Sequence, residues 1–515
     1  MLSEAQACFR AGVALAQQGM LAEAVVSLER SLELRPNNAE VHNELANVLF
    51  LQQNFDAAKT QYQRVLQLEP GSAEANYNLA NVFHQQGNFD EAVRHFREAI
   101  RLSPDLPEAH NNLAITLKRQ GKLDEAIRSY KQALHLKPDY ADAITNLGTI
   151  HELEGRFDEA LATYEKALKL HPDHVNLHFH RAGLWLLLGR WTEGWPEYEW
   201  RWKTPKMPGY GFHQPRWDGS ALTGRTILLE AEQGLGDAIH FVRYAALVKE
   251  RGGRVLLQCD PVLTHLLAGV PGVDQLFPRG AELPPFDVYM PLLSLPAIFR
   301  TTPSNVPASI PYLKTDPGLV EQWRRKLKVH CRVGGVFGTH RDELVGSEDS
   351  THPTNTFKVG IAWQGNPTFL DDNLRSMPLK CFAPLAAVPG VQLISLQKGP
   401  GTDQLQSLNG DFSVVDIGDQ LDAANRSFVD TAAIMKSLDL VISSDTSVAH
   451  LAGALGLPVW VALPFVPDWR WLLHRPDTPW YPTMRLFRQT RRGDWDGVFQ
   501  RMAAELNELV KGNSK

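Results

Sequence analysis

The stretch "RTILLE" (Arg225–Glu230), followed closely by "GLGDAIHF" (Gly234–Phe241), reads as a strand that hands over to a tight turn and then to a helix. Gly234 and Gly236, with one residue between them, let the backbone approach a ligand and present amides at a helix start. Ala238 and Ile239 follow where a full dinucleotide-binding pattern needs a third glycine, so the turn is only a fragment of a phosphate loop. Asp237 has two roles open to it. Aspartate is a preferred N-cap, and a carboxylate exposed at the end of a strand can also act as a base.

Outward from this turn the same alternation continues. "AIHFVRYAALVKERG" is a helix, "RVLLQC" a strand, "VLTHLLAG" a short helix and "FDVYMPL" an edge or next strand. A second series begins with the strands "FKVGIAW", "VQLISLQ" and "SVVDIG", then the helix "FVDTAAIMKSL", the strand "LDLVISSD", the helix "TSVAHLAGALG" and the strand "PVWVAL". Strands alternating with helices predict parallel sheets with crossover helices, and two such units in series leave a cleft into which the C-terminal strand ends point. The join between them, 328–356, has weak periodicity and many Gly, Ser and Thr, and reads as an irregular loop.

The first third is different. Pro36, Pro70, Pro104, Pro138 and Pro172 are spaced 34 residues apart, and Gly19, Gly87, Gly121, Gly155 and Gly189 keep the same register. So do Ala24, Ala58, Ala92, Ala126 and Ala160. A unit of this length, with small residues where paired helices approach and Pro ending the second helix, resembles the tetratricopeptide repeat. That resemblance implies a superhelix with a concave binding face. Asn78, Asn112 and Asn146 recur at one repeat position beside core leucines, with Glu44 and His180 in the neighbouring units. Their amides can donate to and accept from an extended peptide, or simply suit a wet surface.

Trp191, Trp195, Trp200 and Trp202 crowd the end of the array and read as packing that seals it against the next unit. The expected division is a repeat superhelix over 1–203, a linker over 204–221, an acceptor-side α/β domain over 222–327, the loop 328–356, and a nucleotide-sugar α/β domain over 357–512. A chain of 515 residues fits about three such units. Its formal charge of -6 exerts no global pull toward nucleic acid or anionic membranes. Four scattered cysteines with no CxxC pair suggest neither a disulfide framework nor structural zinc. The opening residues read as an amphipathic helix instead of a signal peptide, and no apolar run is long enough to span a bilayer, so a cytoplasmic location is expected.

Polar residues collect at the strand ends. Lys398 stands on the turn "KGPG", where a compact positive charge suits a diphosphate. In "SSDTSVAHLAGALGLP", Ser443, Ser444, Asp445, Thr446 and Ser447 form a strand-to-helix turn suited to phosphate, while His450 is either a core histidine or a ligand contact. Asp445 suits a ribose hydroxyl or a cap. "GIAWQGNPTFLDDNLRSMPL" contributes Trp363, Gln364, Gly365, Asn366 and Arg375; Asn366 either meets a ligand or satisfies its own turn. No HExxH or facial triad is present, so no metal is expected.

Together, "EQGLGDAIHFVRYA", "VGIAWQGNP" with "RSMPL", "LISLQKG" and "ISSDTSVAHLAGALGLPVW" behind repeats resemble bacterial repeat-fused glycosyltransferases. These are related to the heptosyltransferases and to the protein O-linked N-acetylglucosamine transferases. The resemblance implies a GT-B fold of two Rossmann-like α/β domains facing a cleft, inverting transfer without metal, and a nucleotide-sugar donor, uridine-diphosphate-linked, as substrate with no further cofactor. By matching positions it implies Asp237 as base and Lys398 as diphosphate ligand. Gly236, Trp363, Asn366, Arg375, Gln397, Ser444, Asp445, Thr446, Ser447 and His450 would line the donor site. A protein or peptide acceptor would lie along Asn78, Asn112 and Asn146. The alternative is a scaffold without catalysis, whose α/β part senses a nucleotide sugar or has lost its activity. Gly236–Asp237 stands where the close peptide transferases carry a glycine-histidine-proline turn, which separates a protein acceptor from transfer itself.

Overall fold

Helix pairs set by the 34-residue period build the first part of the chain. Leu2–Gln17 packs on Leu21–Leu34, Ala39–Leu51 on Phe55–Leu68, Ala73–Gln85 on Phe89–Leu102, Pro107–Arg119 on Leu123–Leu136, and Ala141–Leu153 on Phe157–Leu170. The computed structural model describes residues 2–204, 209, 211–332, 356–369, 372–408, 410–418, 421–422 and 428–513. The chain divides into two units, Met1–His180 and Arg181–Lys515.

Within the first unit the periodic alanines Ala24, Ala58, Ala92, Ala126 and Ala160 are fully buried, which lets paired helices approach closely. Gly148 shows the tightest approach: a Cβ there would lie 2.3 Å from Tyr164 Cε1. The inter-helix turns need a left-handed residue, and Gly19, Gly87, Gly121 and Gly155 supply it with φ of +74° to +76°. In the one turn where the glycine period lapses, Gln53 adopts φ +62°. A side chain in that region costs about 1 kcal/mol or more.

The second unit holds two parallel sheets. Strands β1 (Thr226–Glu230), β2 (Arg254–Cys259), β3 (Gln275–Pro278) and β4 (Val288–Pro291) are ordered β3-β2-β1-β4. Strands β5 (Phe357–Ala362), β6 (Val391–Ser395), β7 (Val414–Val415), β8 (Leu440–Ser443), β9 (Val459–Leu463) and β10 (Met484–Arg488) are ordered β10-β9-β8-β5-β6-β7. Each order reverses direction, at β1 and at β5. The central strands β1, β8 and β9 are buried apolar runs, as strands covered on both faces require.

Several sequence expectations change. Edge strands β3 and β10 lack a continuous apolar run and escaped the pattern. The expected strand over "SVVDIG" shrinks to the two residues of β7. The helix expected after Asp237 breaks into Leu235–Phe241, a single turn Val242–Tyr244, and Ala245–Lys249. The loop expected from 328 begins instead inside a helix, Pro317–Arg332, and its remainder from 333 to 355 lies outside the described residues.

The tryptophan-rich segment, expected to seal the array against the next unit, packs within the second unit. Trp195 Nε1 donates to the Thr301 carbonyl at 3.0 Å, Trp191 stacks on Trp480, and buried Arg201 pairs with Glu232 at 2.9 Å. No helix among the described residues is long and apolar enough to cross a membrane. Replacing Gln53 with Gly relieves the left-handed strain and is expected to stabilise the repeats by about 1 kcal/mol. Urea titration of the full chain followed by hydrogen exchange of the first-unit helices measures it; equal or lower protection in Gln53→Gly overturns the assignment of strain.

Candidate functional site

The helix after β1, Leu235–Phe241, packs directly on the helix after β8, Ser447–Ala454. Gly236 permits this contact. A Cβ added there would stand 3.2 Å from His450 Cδ2, tighter than ordinary packing, and 3.5 Å from Ser447 Cα, in ordinary van der Waals contact. The turns at the ends of β1 and β8 are therefore brought together, and with them Asp237, Thr446, Ser447 and His450.

Asp237 divides its carboxylate. Oδ2 accepts the Gly234 N–H at 3.1 Å: Gly234 is the N-cap, and Asp237, expected at that position, instead closes a capping box from the third position of the helix. Oδ1 is ion-paired with Arg470, a residue that the sequence reading did not single out. Arg470 lies on the loop between β9 and β10, in the single turn Trp469–Trp471. Asp468 holds that turn by accepting Arg470 N at 2.9 Å and Arg470 Nη1 at 2.8 Å. The guanidinium lies 4.2 Å over the Trp469 ring, and Arg470 is only 8% exposed. The available signal was "PDWRW", an Asp capping a turn that encloses a cation between two tryptophans.

At the end of β8, Ser443 Oγ donates to the Ser444 carbonyl at 2.8 Å and meets Thr446 Oγ1 at 3.1 Å. Ser444 Oγ is buried and without a partner among the described residues. Asp445 is buried as well; burial, then the nearby charge of Asp468, pushes its carboxyl up to about 6, against the pull of Trp471, Arg375 and Arg470. Near neutral pH it keeps its charge, and its field opposes a second anion unless Arg375 and Arg470 offset it.

His450 Nδ1 lies 3.2 Å from His240 Nδ1 and 3.1 Å from the Tyr481 hydroxyl. Tyr312, next in this buried chain, donates its own proton to the Ile239 carbonyl at 3.0 Å and accepts from Arg243 at 2.9 Å. His240 Nε2 is buried and unpartnered among the described residues. An orphaned N–H there would cost more than an orphaned lone pair, so the favoured arrangement has His240 Nδ1–H donating to His450 Nδ1. His450 then carries its proton on Nε2. Burial first, then Arg470, Arg243 and Arg375, hold it well below the ordinary imidazole range. A neutral donor results, not a proton acid.

Around β5 and β6 the expected ligand residues are mostly turned to structural use. Gln397 Oε1 accepts from the Trp363 and Gln364 amides at 3.0 and 3.1 Å, and its Nε2 donates to the Gln364 and Pro400 carbonyls at 3.0 and 2.9 Å. Its side chain ties the two strand ends together. The Trp363 ring is fully buried, and its Nε1 donates to the Gly401 carbonyl. Asn366 Oδ1 accepts from Thr368 N and Oγ1 at 3.0 and 2.9 Å, so it satisfies its own turn. Arg375 is held by Asp372 at 3.0 Å and keeps part of its guanidinium exposed. Lys398 Nζ donates to the carbonyls of Leu421 at 3.1 Å and Asp422 at 3.5 Å, which fixes the ammonium at the end of β6.

In the repeats, the expected asparagines each bond to polar side chains of the preceding repeat. Asn78 Nδ2 reaches Asn47 Oδ1 at 3.5 Å, Asn112 Nδ2 reaches Tyr77 Oη and Asn81 Oδ1, both at 3.0 Å, and Asn146 Nδ2 reaches Asn111 Oδ1 at 3.3 Å. Each rung joins adjacent repeats.

These features define a repeat protein coupled to an α/β unit of two parallel sheets. A family model for the tetratricopeptide repeat matches residues 43–107, 111–174 and 154–199, and a second TPR repeat model matches 12–53. The chain carries tetratricopeptide repeats. Protein FlbA of Caulobacter vibrioides is 25% identical over 344 residues, covering 62% of this chain and 52% of FlbA. The chain thus spans about half the length of the curated relative it matches. Among solved structures, MamA is 25% identical, with 31% of this chain and 92% of MamA covered at a TM-score of 0.30. The thermophilic TPR protein TTC0263 of Thermus thermophilus is 26% identical, with 36% and 100% covered at a TM-score of 0.31.

The histidine pair makes a pH prediction. The unfolded chain protonates both imidazoles near about 6.5, whereas the folded protein keeps them neutral, so their contribution to stability is present above that pH and is lost as pH falls below it. His240→Phe is expected to flatten the loss of stability between pH 6 and 5 by up to about 1.4 kcal/mol per pH unit. Denaturant melts of both proteins at stepped pH measure the slopes, and identical slopes overturn the assignment.

Proposed function

We propose that this chain is a repeat scaffold joined to an α/β unit that binds a nucleotide-linked sugar. The two sheets are read as halves of a GT-B fold, with the donor phosphates near Lys398, Arg375 and the Thr446–Ser447 helix start. The observation that carries the reading is the convergence, through Gly236, of the β1 and β8 turns beside two arginines and the neutral donor His450. Helix N-termini and guanidinium groups are the usual receptors of phosphate. The repeats supply the partner surface, where an extended peptide would compete for the amides of Asn78, Asn112 and Asn146. Binding takes precedence over turnover because Asp237, the candidate base, is engaged by Arg470 and by its own cap.

Metal-independent inverting transfer is the second reading, favoured by the position of Asp237 on the turn that touches Ser447. There the acceptor oxygen would bond to the anomeric carbon as the bond from that carbon to the diphosphate oxygen breaks. Asp237 would take the hydroxyl proton, and Lys398 with Arg375 would stabilise the departing diphosphate.

Calorimetric titration with uridine-diphosphate sugars, paired with an assay for nucleoside diphosphate release onto peptide acceptors, decides between them. Binding that Lys398→Ala weakens by about tenfold, without release, is the result expected for the scaffold; one lost charge-assisted hydrogen bond has that magnitude. Steady release that Asp237→Asn abolishes establishes transfer. Failure to bind a broad panel of nucleotide sugars rejects both.

A further inference from the structure

The Arg470–Asp237 pair joins a loop of the six-stranded sheet to the first turn after the four-stranded one. The arrangement is crowded with negative charge. Arg470 serves Asp237 and Asp468 at once, and Asp445 also lies within its field. Its Nε is buried and unpartnered among the described residues, as is the hydroxyl of Ser444 in the turn beside Asp445. A guanidinium offers donors in a planar fork that fits two oxygens of one anion better than single oxygens of two carboxylates. Asp468 caps the same short turn that carries Arg470 and is bonded to its backbone as well as its side chain. Asp237 belongs to the other sheet and is the exchangeable partner.

We propose that Arg470 is an anion receptor, and that in the ligand-free protein Asp237 occupies the place taken by a diphosphate of the bound nucleotide. Entry of the diphosphate transfers Arg470 from the carboxylate to the phosphate oxygens, and Asp237 is released from its ion pair with only the Gly234 N–H still bound. The exchange gives the site an order of events: the carboxylate becomes available to an incoming hydroxyl only after the nucleotide is in place. This inference rests on the nucleotide-binding reading of the α/β unit.

The test uses the full chain and uridine diphosphate as probe, with binding measured by calorimetry and folding by circular dichroism. Removing the competing charge in Asp237→Asn is expected to tighten binding by about tenfold, as one charge-assisted hydrogen bond is no longer contested. Arg470→Lys, which keeps the charge but loses the fork, is expected to weaken binding and to erase most of the gain from Asp237→Asn in the double variant. A gain that persists undiminished beside Arg470→Lys reflects general charge repulsion and overturns the exchange. Unchanged or weaker binding by Asp237→Asn overturns it as well. Absence of binding by the unsubstituted protein instead rejects the nucleotide reading on which the exchange stands.

Discussion

The contact between Gly236 and the start of the Ser447–Ala454 helix governs the second unit. Without a side chain at 236, the turn after β1 comes within van der Waals reach of Ser447 and His450. Asp237 can then meet Arg470, and His240 can meet His450. A side chain there would require His450 to give way by a few tenths of an ångström, at the point where these polar pairs link the sheets. The glycine that looked like part of a phosphate loop works first as a packing residue, and the polar chemistry is a consequence of that packing.

Charge in this region is balanced by contact and not by exposure to water. Arg470 and Asp445 are buried, and His240 and His450 are neutral because burial penalises their charged forms. Buried ions add little net stability but are costly to leave unpaired, so such a cluster specifies an arrangement more than it strengthens the fold. The repeats use the opposite strategy. Their asparagines form neutral rungs between successive helix pairs, where no charge has to be taken out of water.

Much of the architecture was legible from the chain. The 34-residue recurrence of Pro, Gly and Ala marked the helix pairs because each position meets a fixed steric demand in every repeat. The buried strands β1, β2, β5 and β9 were legible from their short apolar stretches. Edge strands β3 and β10 were not, since only partial burial is asked of them. The tryptophan-rich segment after the repeats was legible as packing against the next unit, but not its partners, since its indoles pack with residues more than a hundred positions further on. Polar residues at strand ends were legible as candidates, but Gln397 and Asn366 show that the same residue types also close turns.

By itself the sequence determined the repeat period, the alternation of strands and helices in the second unit, and the polar character of its strand ends. These are local properties, set by residue size, backbone preference and apolar periodicity. Tertiary structure alone decided which polar groups meet. Arg470 lies 233 residues beyond Asp237, and His450 lies 210 beyond His240. No spacing rule connects positions so distant. Their pairing arises because two parallel sheets present the helices that follow β1 and β8 to one another, close enough at Gly236 for their side chains to share protons and charge.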